Sequence, residues 1–417
     1  MISMLACDDN AVSHPRVSGA SSDGSPRDAA PGTAPPADAN LPSAGSAAAE
    51  HTATIDSARG FVFSSVRCGQ CHAATEKQWA SGAHSVASST PLYLAMRAHG
   101  SEGCERCHEP MQAITNDARI AKEGVTCLVC HRIDKVEVQK TSSMFSPQFD
   151  DNVMFGPLCD ARNQYFHKMG CSPLHAKSQF CGACHHLLLT TPSGVDLPVF
   201  TEYQEWLASP YAARGVDCQE CHMPGRPRHV AVGSRMRPNV HDHGLNDNAQ
   251  QVAGAITVSV TISSSPEQLL VTSVVDNLKV GHHAPSGLPG HELVLRLRIL
   301  NEADLHEEDR AERLYSRVLV DDHGNEVPFY AARRVKSDTR LKAQEKRRET
   351  FAWTTKAGGR LVAELFSRPI SPALATALGL PEPREQILVK AEISFKRTSS
   401  NGQRPGLPVT MLAEPVN

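Results

Sequence analysis

The string C-x-x-C-H occurs five times in this 417-residue chain: RCGQCH (Cys68, Cys71, His72), GCERCH (Cys104, Cys107, His108), TCLVCH (Cys127, Cys130, His131), FCGACH (Cys181, Cys184, His185) and DCQECH (Cys218, Cys221, His222). No other feature limits the fold as strongly. Cys and His also bind zinc, and a cysteine pair can be a redox dithiol, so one or two copies would leave those readings open. Five copies with His always next to the second Cys match the c-type haem attachment signature. In that chemistry two thiols add to the two vinyl groups of one haem, and the adjacent His ligates the iron. The sequence therefore predicts five covalently attached c-type haems, with His72, His108, His131, His185 and His222 as proximal iron ligands.

Composition agrees. Aromatic residues make up 5% of the chain, low for a protein that must fill its own cores. The motifs crowd between Cys68 and His222, so the porphyrins are expected to be the core there, wrapped by short helices and loops. A net charge of −3 gives no ground for a nucleic-acid partner. No apolar run reaches the roughly 18 residues of a membrane-spanning helix.

Three of the 13 cysteines lie outside the motifs: Cys7, Cys159 and Cys171. Haem is attached to cysteines outside the cytoplasm, where spare thiols tend to pair. This implies a periplasmic or outer-surface location. A Cys159–Cys171 disulfide is expected, with two buried thiols as the alternative that spacing alone cannot remove. The opening MISMLACDDN resembles the end of a bacterial lipoprotein signal, although its apolar stretch is shorter than a usual signal. Cys7 would then be lipidated and anchor the protein to a membrane. The alternative is an incidental Cys in a disordered tail. Residues 8–50, rich in Ala, Pro, Ser, Gly and Asp, have the composition of a flexible tether.

Three regions follow: the signal-like start and tether at 1–52, a pentahaem segment at 53–250, and a β domain at 251–417. The last is read from period-two alternation. Ile256, Val258, Val260 and Ile262 share one face of ITVSVTI, as do Leu293, Leu295, Leu297 and Ile299 in ELVLRLRIL, and Val389, Ala391, Ile393 and Phe395 in VKAEISFK. Turn signals at 321–326 (DDHGNE) and 284–290 (APSGLPG) separate such runs. Seven or eight short strands predict an immunoglobulin-like antiparallel sandwich. The fold class is thus a mainly α and irregular haem-packed module followed by an all-β sandwich.

Cytochrome iron takes a second axial ligand, usually His or Met. The histidines outside the motifs, within the haem segment or at its edge, are His51, His84, His99, His167, His175, His186, His229, His241 and His243. They outnumber five open positions. Met111 and Met223 follow their own motifs too closely to reach the opposite face. Bis-His ligation is expected at most sites, which implies low reduction potentials. His186, beside a proximal ligand, must point to another iron, a propionate or solvent.

CGQCH followed by WASGAH, then GVTCLVCH, the long stretch FGPLCDARNQYFHKMGCSPLHAKSQFCGACH and finally DCQECHMP resemble the multihaem c-type cytochrome superfamily that includes hydroxylamine oxidoreductase, pentahaem nitrite reductase and the tetrahaem acceptor of electrons from hydroxylamine oxidation. The resemblance covers about residues 65–245. It implies closely paired haems and assigns distal ligands to His84, His175 and one of His241 or His243, with His167 as a fourth candidate. VGHHAPSGLPGHE and SDTRLKAQ resemble the Gly-His…Pro-Ser-Gly and Asp-x-Arg signatures of a companion β domain. That likeness implies that His282, rather than His283, reaches a haem across the domain boundary. The alternative is a turn His. No motif has Lys in place of the proximal His, five motifs are fewer than the octahaem pattern needs, and no cross-linking Tyr is identifiable.

Two functions follow from these features. The first is electron transfer between redox partner proteins through packed haems. The second is a redox enzyme in which one haem keeps an open distal side and acts on a small nitrogen or sulfur compound. A structural or adhesive surface protein would leave five haems unexplained. The stretch 333–349, with eight Lys/Arg against three Asp/Glu, is either a docking patch for an acidic partner or a solvated hairpin face.

Overall fold

The computed structural model describes residues 64–99, 103–115, 117–147, 152–245, 254–265, 268–354 and 358–396, with short strand pieces at 55–56, 61–62, 409–412 and 414–415. Cys7 and the tether lie outside the described residues. The five motifs sit on or beside very short helices: α1 (Ser65–Gly69), α4 (Glu105–His108), α5 (Cys127–His131), α6 (Ser178–Cys181) and α8 (Cys218–His222). α2 (Ala73–Ala80) and α3 (Pro91–Ala98) lie between the first two, and α7 (Glu202–Leu207) precedes the last. Helices of one or two turns do not hold themselves together in water, so caps and tertiary contacts must. Thr126 caps α5 by accepting from Val129 N–H, and Asp217 with Glu220 forms a capping box on α8.

Four two-stranded ribbons, which the sequence did not announce, thread between these helices. They are β1–β2 (Ile133–Val138 with Ser143–Pro147), the parallel pair β3–β4 (Val153–Gly156 with Lys168–Cys171), β5–β6 (Leu187–Thr190 with Asp196–Phe200) and β7–β8 (Gly225–His229 with Met236–His241). Cys159 and Cys171 are disulfide-bonded, closing the loop that joins β3 to β4. The expectation that this half lacks an apolar core is corrected. Met111, Ile120, Leu128, Val129, Ile133, Val136 and Ala183 form a buried cluster, which also places Met111 away from any ligand role.

Residues beyond 254 build two antiparallel sheets. One has the order β14-β10-β9-β17, from Lys346–Trp353, Leu269–Asp276, Thr257–Ser264 and Val409–Leu412. The other runs β13-β12-β11-β15-β16-β18, from Arg334–Asp338, Glu307–Val320, Glu292–Asn301, Gly359–Arg368, Gln386–Phe395 and Glu414–Pro415. The alternating residues of all three sequence runs enter one buried cluster drawn from both sheets. Several strands have 8 to 14 residues, longer than the short strands expected. No helix among the described residues is long and apolar enough to cross a membrane.

Several contacts among the described residues connect the halves, including a hydrogen bond from the Tyr211 hydroxyl to the Leu278 carbonyl. Met96 of α3 packs with Ile370, Leu374, Ala375 and Leu378 around α9 (Pro372–Ala377). Leu197 of β6 packs with Leu319 and Ala332. Between them lies an ion network in which Glu205 of α7 meets Arg317 and Arg340. The stretch 333–349 is therefore not a uniform basic face. Arg340 is buried, Lys346 pairs with Asp276 and Arg347 with Glu345.

Burial pushes the Glu205 carboxyl up, but the charge of Arg340, the Thr201 hydroxyl and His283 outweigh it and hold it down at about 2, against an ordinary 4.5. A depressed carboxyl contributes its full stability above the unfolded value and loses it as pH falls through the folded one. Denaturant midpoints should thus fall as pH drops from 4.5 towards 2. The Glu205→Gln variant should show a shallower fall across the same window.

Candidate functional site

Nine of the ten motif cysteines, all but Cys104, and a larger set of histidines line one continuous cavity of about 1970 Å³. Ordinary small-ligand pockets measure roughly 300–1,000 Å³, and protein interiors are otherwise close-packed. A space of this size, lined by paired Cys and His, fits several bulky groups rather than one small ligand.

The histidines come in facing pairs. An iron between two imidazoles, with metal–nitrogen bonds of about 2 Å, places the ring centroids roughly 6 Å apart. His72 and His167 are separated by 6.3 Å, His185 and His84 by 6.4 Å, and His222 and His282 by 6.2 Å. His131 has two neighbours, His243 at 6.2 Å and His175 at 5.8 Å. Among the described residues no three His, Cys, Asp or Glu side chains form a metal cage. The arrangement is one of opposed pairs.

Hydrogen bonds turn the rings. The Nδ1 of His72 bonds the carbonyl of Val230 at 2.8 Å, that of His131 the carbonyl of Phe155 at 2.7 Å, and that of His108 the carbonyl of Ala87 at 3.0 Å. On the opposing side Nδ1 of His243 bonds the carbonyl of His241, Nδ1 of His282 that of His283 and Nδ1 of His167 that of Lys168. Such a bond fixes the tautomer and leaves Nε2 for a metal. His175 is the reverse: its Nε2 bonds the Cys130 carbonyl at 3.1 Å. The two therefore differ in which nitrogen they offer towards His131: His243 leaves Nε2 free, and His175 leaves a buried Nδ1 without a partner among the described residues. Burial, then neighbouring imidazoles, holds His84 at about 4, and burial, then His131, does the same for His243 and His175. All three rings are neutral, the metal-binding form.

His108 differs from the other four motif histidines. Its ring contact is Tyr93 at 4.6 Å with planes 18° apart, a direct stack too close to enclose a metal. Tyr93 in turn donates to the buried Glu109 carboxylate, which Arg97 also reaches. Among the described residues no imidazole faces His108. His241 lies in the same cavity with its Nδ1 on the Met223 carbonyl and, among the described residues, stands in no imidazole pair. His99 and His229 are exposed, and their Nδ1 atoms bond nearby carbonyls. His186 is buried, and its Nε2 bonds the carbonyls of Gln139 and Lys140 in the β1–β2 turn. None of the three destinations expected for His186 is the one found: it anchors a hairpin.

The motifs touch one another. The thiols of Cys68 and Cys127, of Cys107 and Cys184, and of Cys181 and Cys218 lie next to each other. Neighbouring motifs are therefore first with third, second with fourth, and fourth with fifth. One brace is used twice. Ser65 and Ser178, each fully buried and three residues before its first motif cysteine, accept the N–H of Cys127 and of Cys218, respectively. A carboxylate closes each brace, Glu123 accepting Ser65 N–H and Asp217 accepting Ser178 N–H, both at 2.8 Å. Sequence reasoning missed these serines, although S-x-x-C-x-x-C-H at the first and fourth motifs was the available signal.

No protein-family model matches the chain, and no curated protein matches it. Among solved structures, the crystal structure of a penta-heme cytochrome c552 from Thermochromatium tepidum is similar with a TM-score of 0.64 and 21% sequence identity, covering 80% of this chain and 98% of that one. The chain therefore shares that cytochrome's fold.

Removing the Ser178 hydroxyl leaves both the Cys218 N–H and the Asp217 carboxylate short of a buried partner. Ser178→Ala should cost about 1–3 kcal/mol, read as a lowered denaturation midpoint of the holoprotein, and Ser65→Ala should do the same at the first and third motifs.

Proposed function

We propose that the chain is a five-haem electron-relay protein of the periplasm or outer cell surface, working between redox partner proteins. The observation that carries this reading is the set of four imidazole pairs at 6.2–6.4 Å, each containing one motif histidine: His72 with His167, His185 with His84, His131 with His243, and His222 with His282. Bound haem would supply one-electron iron chemistry at each site. The cysteine pairs of the five motifs would hold it in covalent linkage, from Cys68 and Cys71 through Cys218 and Cys221, of which Cys221 is disulfide-bonded in this structure and would have to be a free thiol first.

The protein's own part is spacing and tuning. The Cys68–Cys127, Cys107–Cys184 and Cys181–Cys218 contacts bring these sites side by side, and a serine brace spans the first and the last of them. Motif four lies beside the second and the fifth, and Cys130 of the third is near its Cys181 and Cys184, so it is the branch of the relay. Neutral imidazole ligands on both faces favour low potentials. The domain division at about residues 53–250 and 251–417 goes with this reading, the first region holding the motifs and the second, an immunoglobulin-like sandwich, contributing His282. Lipidation at Cys7 would tether the whole assembly to a membrane.

A second reading is favoured by His108 alone. With Tyr93 stacked on it and no opposing imidazole among the described residues, its haem would keep an open face for a small nitrogen or sulfur compound. The two readings share one experiment. The purified holoprotein should contain five haems by mass and by pyridine haemochrome assay. Electron paramagnetic resonance of the oxidised form should give four low-spin bis-His signals and one high-spin signal. Fewer than four bis-His signals would overturn the ligand assignment. Turnover of nitrite or hydroxylamine, abolished by His108→Ala, would shift the conclusion to the enzyme.

A further inference from the structure

The carboxylate of Glu205 is the meeting point of the two halves. Its Oε1 accepts from Arg340 Nη2 at 2.6 Å, from Arg317 Nη2 at 3.2 Å and from the Thr201 hydroxyl at 2.5 Å. Its Oε2 accepts the backbone N–H of His283 at 3.0 Å. Asp338 completes the cluster, taking Arg340 Nε at 2.9 Å and Arg317 Nε at 3.0 Å. The side chains of Glu205, Arg317 and Arg340 are 7%, 6% and 4% exposed. Two buried guanidinium groups and two carboxylates balance in charge. A buried ionic cluster of this kind is a poor source of net stability, because desolvation cancels most of the attraction. Its distinctive contribution is geometric.

What it fixes is the peptide between His282 and His283. Glu205 holds the His283 N–H from the motif side. From the sheet side, Asn277 Nδ2 donates to the carbonyls of His282, Leu341 and Lys342. A bridge between Ala284 and Leu341 adds a third restraint, and Gly287 N–H donates to Glu202 Oε1 at 2.6 Å. Held on both sides, His282 bonds its Nδ1 to its neighbour's carbonyl and faces His222 with ring planes 15° apart.

We propose that Glu205, Arg340 and Asp338 are positioning residues for the fifth site, so that ligation opposite His222 is conditional on the ionic joint between the halves. The inference rests on the reading of His282 as the ligand opposite His222. Breaking the joint frees the His282 segment without touching either histidine. The fifth iron then loses its distal ligand, while the sites of His72, His131 and His185 keep theirs.

The test uses the five-haem holoprotein and its variants His282→Ala, Glu205→Gln and Asp338→Asn, with Glu364→Gln as a control for loss of another buried ion pair, that with Arg298. Two quantities are read: the number of low-spin bis-His signals, and the equivalents of added imidazole taken up with return to a low-spin spectrum. His282→Ala, Glu205→Gln and Asp338→Asn should each lose one bis-His signal and bind one more equivalent of imidazole than the parent. Glu364→Gln should match the parent. The double variant His282→Ala/Glu205→Gln should behave as either single one, and Asp338→Glu should restore the parent spectrum. If His282→Ala leaves the count unchanged, the ligand reading itself falls. If His282→Ala opens a site and neither Glu205→Gln nor Asp338→Asn does, the positioning role is overturned. Should Glu205→Gln fail to accumulate, Asp338→Asn, at the more exposed end of the cluster, decides the matter.

Discussion

The bond from an imidazole Nδ1 to a distant backbone carbonyl organises this protein. A C-x-x-C-H string fixes where a histidine is, yet leaves its ring free to rotate. Val230 turns His72 and Phe155 turns His131, so ribbons far along the chain must return to each motif. The opposing histidines impose a second return. The short helices, the ribbons and the disulfide between β3 and β4 are what a chain needs to make so many returns in little space. Gly82 and Gly124 illustrate the crowding. A Cβ at Gly82 would lie 1.9 Å from the Gly244 carbonyl, and one at Gly124 would lie 2.3 Å from that of His84. Only bare backbone lets the His84 loop pass both the His243 loop and the approach to the third motif.

The two halves solve stability differently. The sheet half buries aliphatic side chains at alternate positions, a non-directional solution that tolerates some variation in shape. The motif half relies on directed bonds: serine hydroxyls on motif N–H groups, carboxylates on serine N–H groups, and rings on carbonyls. Directed bonds demand correct geometry and cost free energy when left unmade. The motif half is the part of the molecule where small errors of position matter most, and it is also where reacting groups would sit.

Much of this was legible in the residues. The five motifs follow from spacing and the alternating strands from the period of the β-strand, while the Cys159–Cys171 bond was one of two outcomes that spacing left open. The pairing of histidines does not, because it depends on tertiary return. His84 stands near the first motif in sequence and faces the fourth in space. His175, assigned by resemblance, lies beside His131 with its Nε2 committed to a carbonyl. His186 could not be placed from sequence because a buried hairpin anchor has no local signature. Arg340 looked like part of a basic surface since sequence shows charge but not burial.

The wide separation of facing residues has a temporal consequence. A chain made from its N-terminus presents His84 long before His185, and His72 long before Val230. The first motif cannot settle its ring until the last ribbon of the motif half exists. The fifth must wait longer still, for His282 and then for the strand end that carries Arg340. The molecule is completed in an order set by its cross-connections, with the earliest-made site among the last to close.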